Sequence, residues 1–420
     1  MAFLSGLKNT VLLWVLLFSS CGNQIKTPTR AEAIVAVKKD SIKTIPLVVG
    51  ANSTEIYLPL LKEKRVGIVA NQTSVIFKTP EQGTQNPKPH IHLVDSLLAL
   101  DIDLKKVFAP EHGFRGEADA GEKVVDGIDI TTGIPLISLY GKHKKPSPEQ
   151  LEGLDIVVFD IQDVGVRFYT YIATLQLVME ACAAQQIPVV VLDRPNPNGH
   201  YVDGPSMEKA HVGFLGMNTI PLVYGMTIGE YAQMINEEGW LEGNAKADLT
   251  VVPLKNYTHN TSYGLPIRPS PNLPNDVSIN LYPSLGFFEG TSINAGRGTE
   301  FQFQRYGAPF LDSTQYHFTY TPKPNFGAKY PKHEDKLCYG NDLSTVSEQN
   351  GVSLKWLIDA YSNTRDKTLF FNSASFTKHA GTEKLQRQIE AGLPEEAIKK
   401  SWQEDLEAFK KVREKYLIYD

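Results

Sequence analysis

Six short apolar runs alternate with helical patterns along the first two thirds of the chain, and this alternation constrains the fold most. The runs are apolar almost throughout rather than at every second residue, as expected for strands that are buried on both faces. They are Val66–Ala70, Lys106–Phe108, Pro135–Leu139, Asp155–Phe159, Pro188–Leu192 and Leu249–Val252. Helices are predicted at Leu93–Leu100, Pro148–Glu152, Tyr171–Ala184 and Thr227–Glu238. This order predicts a doubly wound, Rossmann-like α/β domain with a mostly parallel sheet.

The pattern changes after Arg268, where a stretch rich in Pro, Asn and Gly extends to Pro309 and further helical segments follow. One long final helix is predicted from Pro394 to about Arg413, because its apolar residues recur at helical spacing. We therefore predict a Rossmann-like catalytic domain over residues 47–267 and a smaller α+β domain over residues 268–420. The cleft between two such domains is the expected place for a site.

The N-terminus has the pattern of an export signal. Lys8 precedes a short apolar run over residues 11–18, which is too short to span a bilayer. Small residues then precede Cys21, an arrangement that resembles a bacterial lipobox. We expect a signal peptide over residues 1–20, lipidation of Cys21 and a polar tether over residues 21–46. An ordinary signal peptide with an incidental cysteine is the alternative. The protein is thus expected in the cell envelope, with the N-terminal lipid as its only membrane contact.

Composition and absent motifs exclude several functions. The net charge of −5 provides no basic excess for a nucleic-acid partner. Three cysteines are too few for a disulfide framework. The chain has no G-x-S-x-G, no P-loop and no G-x-G-x-x-G after its first strand, so neither a serine hydrolase nor a nucleotide cofactor is predicted. H-E-x-x-H is also absent, and we predict no metal. A metal-dependent hydrolase that uses His112 with Asp160 or Asp163 remains a weaker alternative.

Carboxylates follow three of the predicted strands, where ligands bind to open parallel sheets. Glu111 and His112 follow the second strand, Asp160 and Arg167 the fourth, and Asp193 the fifth. Aspartates at such places also serve as turn or cap residues, so a structural role is an equal alternative for Asp193. Glutamate forms turns poorly, and Glu111 is therefore the strongest catalytic candidate.

The second domain contributes candidate ligand-binding residues. Asn272 lies in a proline-rich extended segment, and Glu289 lies in a Glu-Gly-Thr sequence. Arg297 is flanked by glycines that would let a ligand approach, and Glu300 follows. A solvated arginine in a glycine-rich turn is the alternative for Arg297.

Taken together, several unusual strings resemble one family. They are APEHGFRG at 109–116, DRPNPNG at 193–199, GMTIGEYA at 225–232, PSPNLP at 269–274, and EGT, GRGT and GAP between 289 and 309. The chain resembles the NamZ-type family, once a domain of unknown function and now described as exo-β-N-acetylmuramidases. The PLVYG segment at 221–225 lacks the basic residues that the family pattern has there.

The resemblance implies a Rossmann-like domain, a smaller C-terminal domain and an active site between them. It also implies removal of β-linked N-acetylmuramic acid from the non-reducing ends of peptidoglycan fragments. Through the EHG motif it assigns the leading catalytic carboxylate to Glu111, with His112 beside it.

Glycoside hydrolysis needs a proton donor for the leaving oxygen and stabilisation of an oxocarbenium-like centre. We expect Glu111 to be the general acid, with Phe108 and Phe114 as candidates for an apolar lining that raises its pKa.

The second group stays open at this point among Asp160, Asp193, Glu289 and the acetamido oxygen of the substrate itself. Muramic acid carries a lactyl carboxylate, for which Arg297 is the first candidate partner and Arg167 the second. The alternative function is a lipid-anchored protein that binds wall fragments without hydrolysing them.

Overall fold

The computed structural model describes residues 46–78, 89–115 and 126–420. The predicted signal peptide, Cys21 and nearly all of the predicted tether lie outside this part of the chain. The described residues belong to one compact unit.

A seven-stranded sheet in the order β5-β6-β4-β1-β7-β8-β9 contains all six predicted strands. Every pair in it is parallel except β5 with β6. The strands of this sheet are β1 (Val66–Ala70), β4 (Leu104–Ala109), β5 (Gly127–Ile128), β6 (Pro135–Ser138), β7 (Ile156–Asp160), β8 (Val189–Leu192) and β9 (Leu249–Val252). A separate antiparallel pair is formed by β2 (Val75–Phe77) and β3 (His90–His92). The predicted α/β class is confirmed.

Alternate residues of the central strands enter two different hydrophobic cores. In β7, Val157 and Phe159 join the core on one face, whereas Ile156 and Val158 join the core on the other face. This double burial explains why the strands are apolar at successive positions. The first of these cores continues into the C-terminal helices, where Trp356 and Phe409 are members.

Helices cover the sheet and form most of the C-terminal part. Those of the first part are α1 (Thr54–Leu61), α2 (Leu93–Ala99), α3 (Pro148–Leu151), α4 (Tyr171–Ala184) and α5 (Ile228–Glu237). Those of the second part are α6 (Asp276–Leu285), α7 (Lys355–Ser362), α8 (Ser373–Ala380), α9 (Lys384–Glu390), α10 (Glu395–Lys400) and α11 (Gln403–Arg413). The four predicted helices of the first part match α2 to α5 within one residue at each end.

The C-terminal part combines these helices with a small antiparallel sheet, as an α+β fold requires. Its strands are β10 (Arg305–Ala308), β11 (Phe318–Tyr320) and β12 (Cys338–Asp342), in the order β10-β12-β11. The prediction of one continuous final helix was wrong, because α10 and α11 are separate. Ser401 ends α10 by donating its hydroxyl to the carbonyl of Ile398 at 2.6 Å.

Across the described ranges, every helix is too short or too polar to cross a membrane.

Two bidentate Arg–Asp pairs of similar geometry lie in opposite environments. Arg194 binds Asp160 at 2.6 and 2.8 Å, and the two side chains are 2% and 0% exposed. Arg65 binds Asp155 at 3.0 and 2.8 Å near the surface, with side-chain exposures of 51% and 32%. The buried pair ties the ends of two adjacent strands together, since Asp160 ends β7 and Arg194 follows β8.

We predict that Asp160→Asn lowers the free energy of unfolding by about 3–5 kcal/mol, because it leaves a buried guanidinium without its counter-charge. The matched change Asp155→Asn should cost far less, since water solvates the exposed Arg65. Urea unfolding of the two variants measures the difference. Equal losses would contradict the structural role given to the Arg194–Asp160 pair.

Candidate active site

The predicted carboxylates follow neighbouring strands, so the sheet brings their backbones to one edge. In the sheet, β1 lies between β4 and β7, and the chain changes direction across the sheet at this point. Such a switch point opens a crevice beyond the carboxyl ends of the strands. Glu111 follows β4 there, Asn71 follows β1, and Thr170 and Tyr171 begin α4 after β7.

A tight turn presents Glu111 at the end of β4. The amide of Gly113 donates to the carbonyl of Pro110 at 3.0 Å, and His112 between them has a φ of 70°. This is the left-handed conformation that the third residue of a type II turn requires and that usually selects glycine. Backbone strain of this kind is frequent at functional sites. His112 is only 5% exposed, so its side chain is covered by the protein rather than open to a ligand.

A hydrogen-bond relay fixes this turn to the switch point. The Asn71 amide donates to the Tyr171 hydroxyl at 2.9 Å, and that hydroxyl donates to the backbone carbonyl of Glu111 at 3.3 Å. The relay therefore connects the ends of β1 and β4 to the first turn of α4.

Both carboxylate oxygens of Glu111 are held by hydroxyl groups. Tyr140 donates to Oε1 at 2.8 Å, and Thr170 donates to Oε2 at 3.0 Å. Hydroxyls can donate or accept, so these contacts fit either protonation state of the carboxyl group. Glu111 is half-buried and thus still accessible. Sequence reasoning missed both partners, because neither a lone tyrosine after β6 nor a helix-capping threonine carries a motif.

Phe108 and Phe114, which were predicted to line Glu111, are members of the two hydrophobic cores. Phe108 is fully buried in one core, and Phe114 belongs to the core on the opposite face. Phe114 packs edge-on against His92, with ring centres 4.8 Å apart.

Glu289 and Arg297 form an ion pair at 3.0 Å in the C-terminal part. Their side chains are 25% and 22% exposed. Burial opposes ionisation of Glu289, but the charges of Arg297 and Lys332, with His379, outweigh it and hold its pKa below the ordinary value. The second carboxylate of the site is therefore ionised.

Lys332 is a structural cation that sequence reasoning missed. Its Nζ donates to the carbonyls of Phe288 and Thr291 at 2.8 Å and lies 3.3 Å from those of Glu289 and Ile293. These bonds fold the 288–293 segment around the ammonium group and so place Glu289. The sequence offered no signal for this role.

A cavity of about 260 Å³ lies beside the ion pair, lined by Glu289, Asn294, Arg297, Tyr330 and Lys332 among others. Tyr282 of α6 connects this region with Glu111. Burial raises the pKa of its phenol, and the carboxylates of Glu289 and Glu111 raise it further. The Tyr282 ring packs on Tyr169, which packs on Tyr171, whose hydroxyl binds the Glu111 carbonyl, so we take this neighbourhood as the candidate active site.

Asn272 is buried, whereas Glu300 is exposed. Asn272 is 4% exposed, and its Oδ1 is a buried acceptor without a partner among the described residues. Gly327 packs directly against this oxygen, and its carbonyl accepts from Arg297 at 3.3 Å, so Asn272 lies close to the candidate site. Glu300 is exposed in the turn that follows Arg297.

Asp160, Asp193 and Arg167 are enclosed in the protein, which argues against the contacts with substrate that were predicted for them. The carboxylate of Asp160 forms its ion pair with Arg194. Arg167 is fully buried and donates to the carbonyls of Ala380, His379 and Pro205 at 3.0, 3.2 and 3.4 Å. Both side chains hold the fold together.

Asp193 anchors the C-terminus. One of its oxygens accepts from the hydroxyls of Tyr419 and Thr227 at 2.7 Å, and the other accepts from the amides of Gly229 and Arg194. Burial raises the pKa of Asp193 to about 7, although the Tyr419 and Thr227 bonds oppose the shift. A raised pKa would suit an acid catalyst, but a carboxyl group enclosed by four donors cannot reach a substrate.

A larger cavity lies elsewhere. It has a volume of about 710 Å³ and is lined by segments around Tyr201, Tyr263 and Asn280, but by none of the predicted site residues. No group of three or more His, Cys, Asp or Glu side chains in the described ranges is arranged to hold a metal ion.

Known proteins resemble this chain over both of its parts. A family model described as exo-β-N-acetylmuramidase NamZ, N-terminal, matches residues 66–277, and its C-terminal counterpart matches residues 280–419. Peptidoglycan β-N-acetylmuramidase NamZ of Bacillus subtilis (strain 168) is 40% identical over 387 residues, which cover 86% of this chain and 89% of that protein.

Two crystal structures of DUF1343 family proteins from Bacteroides fragilis NCTC 9343 have the same fold. One has a TM-score of 0.79 at 43% identity and covers 89% of this chain and 99% of its own. The other has a TM-score of 0.75 at 26% identity and covers 90% of this chain and 100% of its own. The resemblance inferred from the sequence is thus confirmed, and the chain belongs to the exo-β-N-acetylmuramidase NamZ family.

Proposed function

We propose that this protein releases β-1,4-linked N-acetylmuramic acid from the non-reducing ends of peptidoglycan fragments, with Glu111 as the general acid. Family membership makes the chain a glycoside hydrolase, and the name of its Bacillus subtilis relative supports peptidoglycan as the substrate. The observation that carries the proposal is the accessible Glu111 carboxyl group, held on both oxygens beyond β4 in the neighbourhood of an ionised Glu289.

Glu111 is suited to proton transfer because its partners in the described part of the chain are hydroxyls rather than cations. An ion pair would hold the carboxyl group ionised, whereas Tyr140 and Thr170 can reverse their hydrogen bonds when it gains a proton. In the proposed reaction the Glu111 proton passes to the glycosidic oxygen as the bond to the anomeric carbon breaks.

Glu289 supplies the complementary charge. Arg297 and Lys332 keep it ionised, so it stabilises the positive charge that develops at the anomeric centre, either directly or by orienting the acetamido group that attacks there. Two carboxyl groups with different electrostatic surroundings fit an acid and an anionic partner.

Arg297 gives the site its preference for muramic acid. Its guanidinium lines the 260 Å³ cavity, and a planar guanidinium is the side chain best matched to a carboxylate such as the lactyl group.

We predict that Glu111→Gln slows hydrolysis of a muramyl disaccharide by about 10²–10⁴-fold, the usual contribution of general acid catalysis. The loss should be smaller on 4-nitrophenyl N-acetylmuramide, because nitrophenolate leaves without a proton. Steady-state kinetics on the two substrates measure the ratio.

Glu404→Gln on the exposed side of α11 is the matched control and should leave both rates unchanged. Equal losses on both substrates would contradict acid catalysis by Glu111. Hydrolysis that stops in a chelator would favour the metal-dependent alternative, and wall-fragment binding by a wild type that hydrolyses neither substrate would favour the binding protein.

Arg297→Gln should lower kcat/KM for the muramide by about 10- to 100-fold, as expected for loss of a charge-assisted hydrogen bond. A 4-nitrophenyl N-acetylglucosaminide lacks the lactyl group, so its slower hydrolysis should fall less, and only through the weaker hold on the charge of Glu289. Arg387→Gln, which removes an exposed cation of α9, serves as the control. An equal loss on both sugars would show that Arg297 acts through Glu289 and not on the lactyl group.

We also propose that Cys21 carries a lipid that anchors the protein in the cell envelope. The apolar run and the small residues before Cys21 support this. Cys21→Ser should move the protein from the membrane fraction to the soluble fraction of the producing bacterium. Unchanged membrane association of this variant would contradict lipidation.

A further inference from the structure

The ring of Tyr282 is held rigidly beside the candidate active site. It packs edge-on against Phe303, Phe168 and Tyr169, with ring centres 4.8, 5.1 and 6.1 Å apart. Tyr169 in turn packs at 4.9 Å against Tyr171, whose hydroxyl binds the Glu111 turn. A few aromatic contacts therefore fix the direction of the Tyr282 hydroxyl relative to Glu111.

The hydroxyl of Tyr282 differs from its neighbours because it makes no hydrogen bond within the described part of the chain. Tyr169 donates to the carbonyl of Pro269 at 2.7 Å, and Tyr140 donates to Glu111. The ring of Tyr282 is half-buried, so its position is fixed while a ligand can still reach it. A fixed donor without an internal partner is what a polar ligand requires.

Charge around the hydroxyl decides what it can bind. Burial keeps the phenol neutral, and the nearby carboxylates of Glu289 and Glu111 do the same. A neutral phenol acts as a hydrogen-bond donor rather than as a nucleophile. The ionised Glu289 disfavours another anion at this point, so a neutral acceptor suits the hydroxyl better than a carboxylate does.

We infer that the Tyr282 hydroxyl donates a hydrogen bond to the acetamido carbonyl of the sugar bound between Glu111 and Glu289. An amide carbonyl is the strongest neutral acceptor on an N-acetylated sugar. The contact makes Tyr282 a binding residue that selects N-acetylated over plain sugars. The inference rests on the proposed function, because it takes the sugar substrate from there.

Binding of two sugars to Tyr282→Phe tests this contact. The substitution keeps the ring and its packing and removes only the hydroxyl. Calorimetry should show N-acetylmuramic acid bound roughly 3- to 10-fold more weakly than by the wild type, the range of a neutral hydrogen bond. The affinity for 3-O-lactylglucose, which has a hydroxyl instead of the acetamido group, should stay the same.

Tyr316→Phe is the matched control, since its hydroxyl binds Asp359 at 2.7 Å, on α7 of the C-terminal part. It should leave both affinities unchanged. Equal weakening of both sugars by Tyr282→Phe, no weakening, or no binding of N-acetylmuramic acid by the wild type would overturn the inference. Failure of the proposed function would appear separately, as a wild type that binds the sugar but hydrolyses no muramide.

Discussion

The site depends on one hydrogen-bond relay, from the Asn71 amide through the Tyr171 hydroxyl to the backbone carbonyl of Glu111. It joins the ends of two adjacent parallel strands to the start of α4. The strained turn at His112 has its own bond between Gly113 and Pro110, and the relay ties this turn to the neighbouring strand. Since proton transfer needs a donor within hydrogen-bond reach of the leaving oxygen, the placement of this turn is what makes Glu111 usable.

The two glutamates lie in different electrostatic surroundings. Glu289 lies among cations that keep it ionised, although it is partly buried. The carboxyl group of Glu111 is held by two hydroxyls, and these can donate or accept as it loses or gains a proton. The difference arises because the two glutamates come from different parts of the chain. The Glu111 turn follows a strand of the large sheet, whereas Lys332 organises the Glu289 segment in the C-terminal part.

The strands and most helices could be predicted because burial on both faces leaves a visible apolar run, as in β7. The direction of the side chains that follow the strands could not be predicted. Asp160 is still within its strand and points to Arg194, and Asp193 receives Tyr419 from the far end of the chain. Such partners are distant in sequence, so local spacing cannot reveal them. The same limit applies to Arg167, whose acceptors Pro205 and Ala380 lie in separate segments.

Glu111 could be chosen as a candidate for a local reason, since a glutamate after proline in a tight turn has no structural explanation of its own. The partners of Glu111 could not be predicted, because Tyr140 and Thr170 come from the segment after β6 and from the start of α4.

A crystal structure of the Glu111→Gln variant with a muramyl disaccharide tests the central claim most directly. We expect the glycosidic oxygen within hydrogen-bond reach of the residue 111 amide and the lactyl carboxylate at Arg297. A disaccharide bound in the 710 Å³ cavity, with its glycosidic oxygen far from residue 111, would contradict the account.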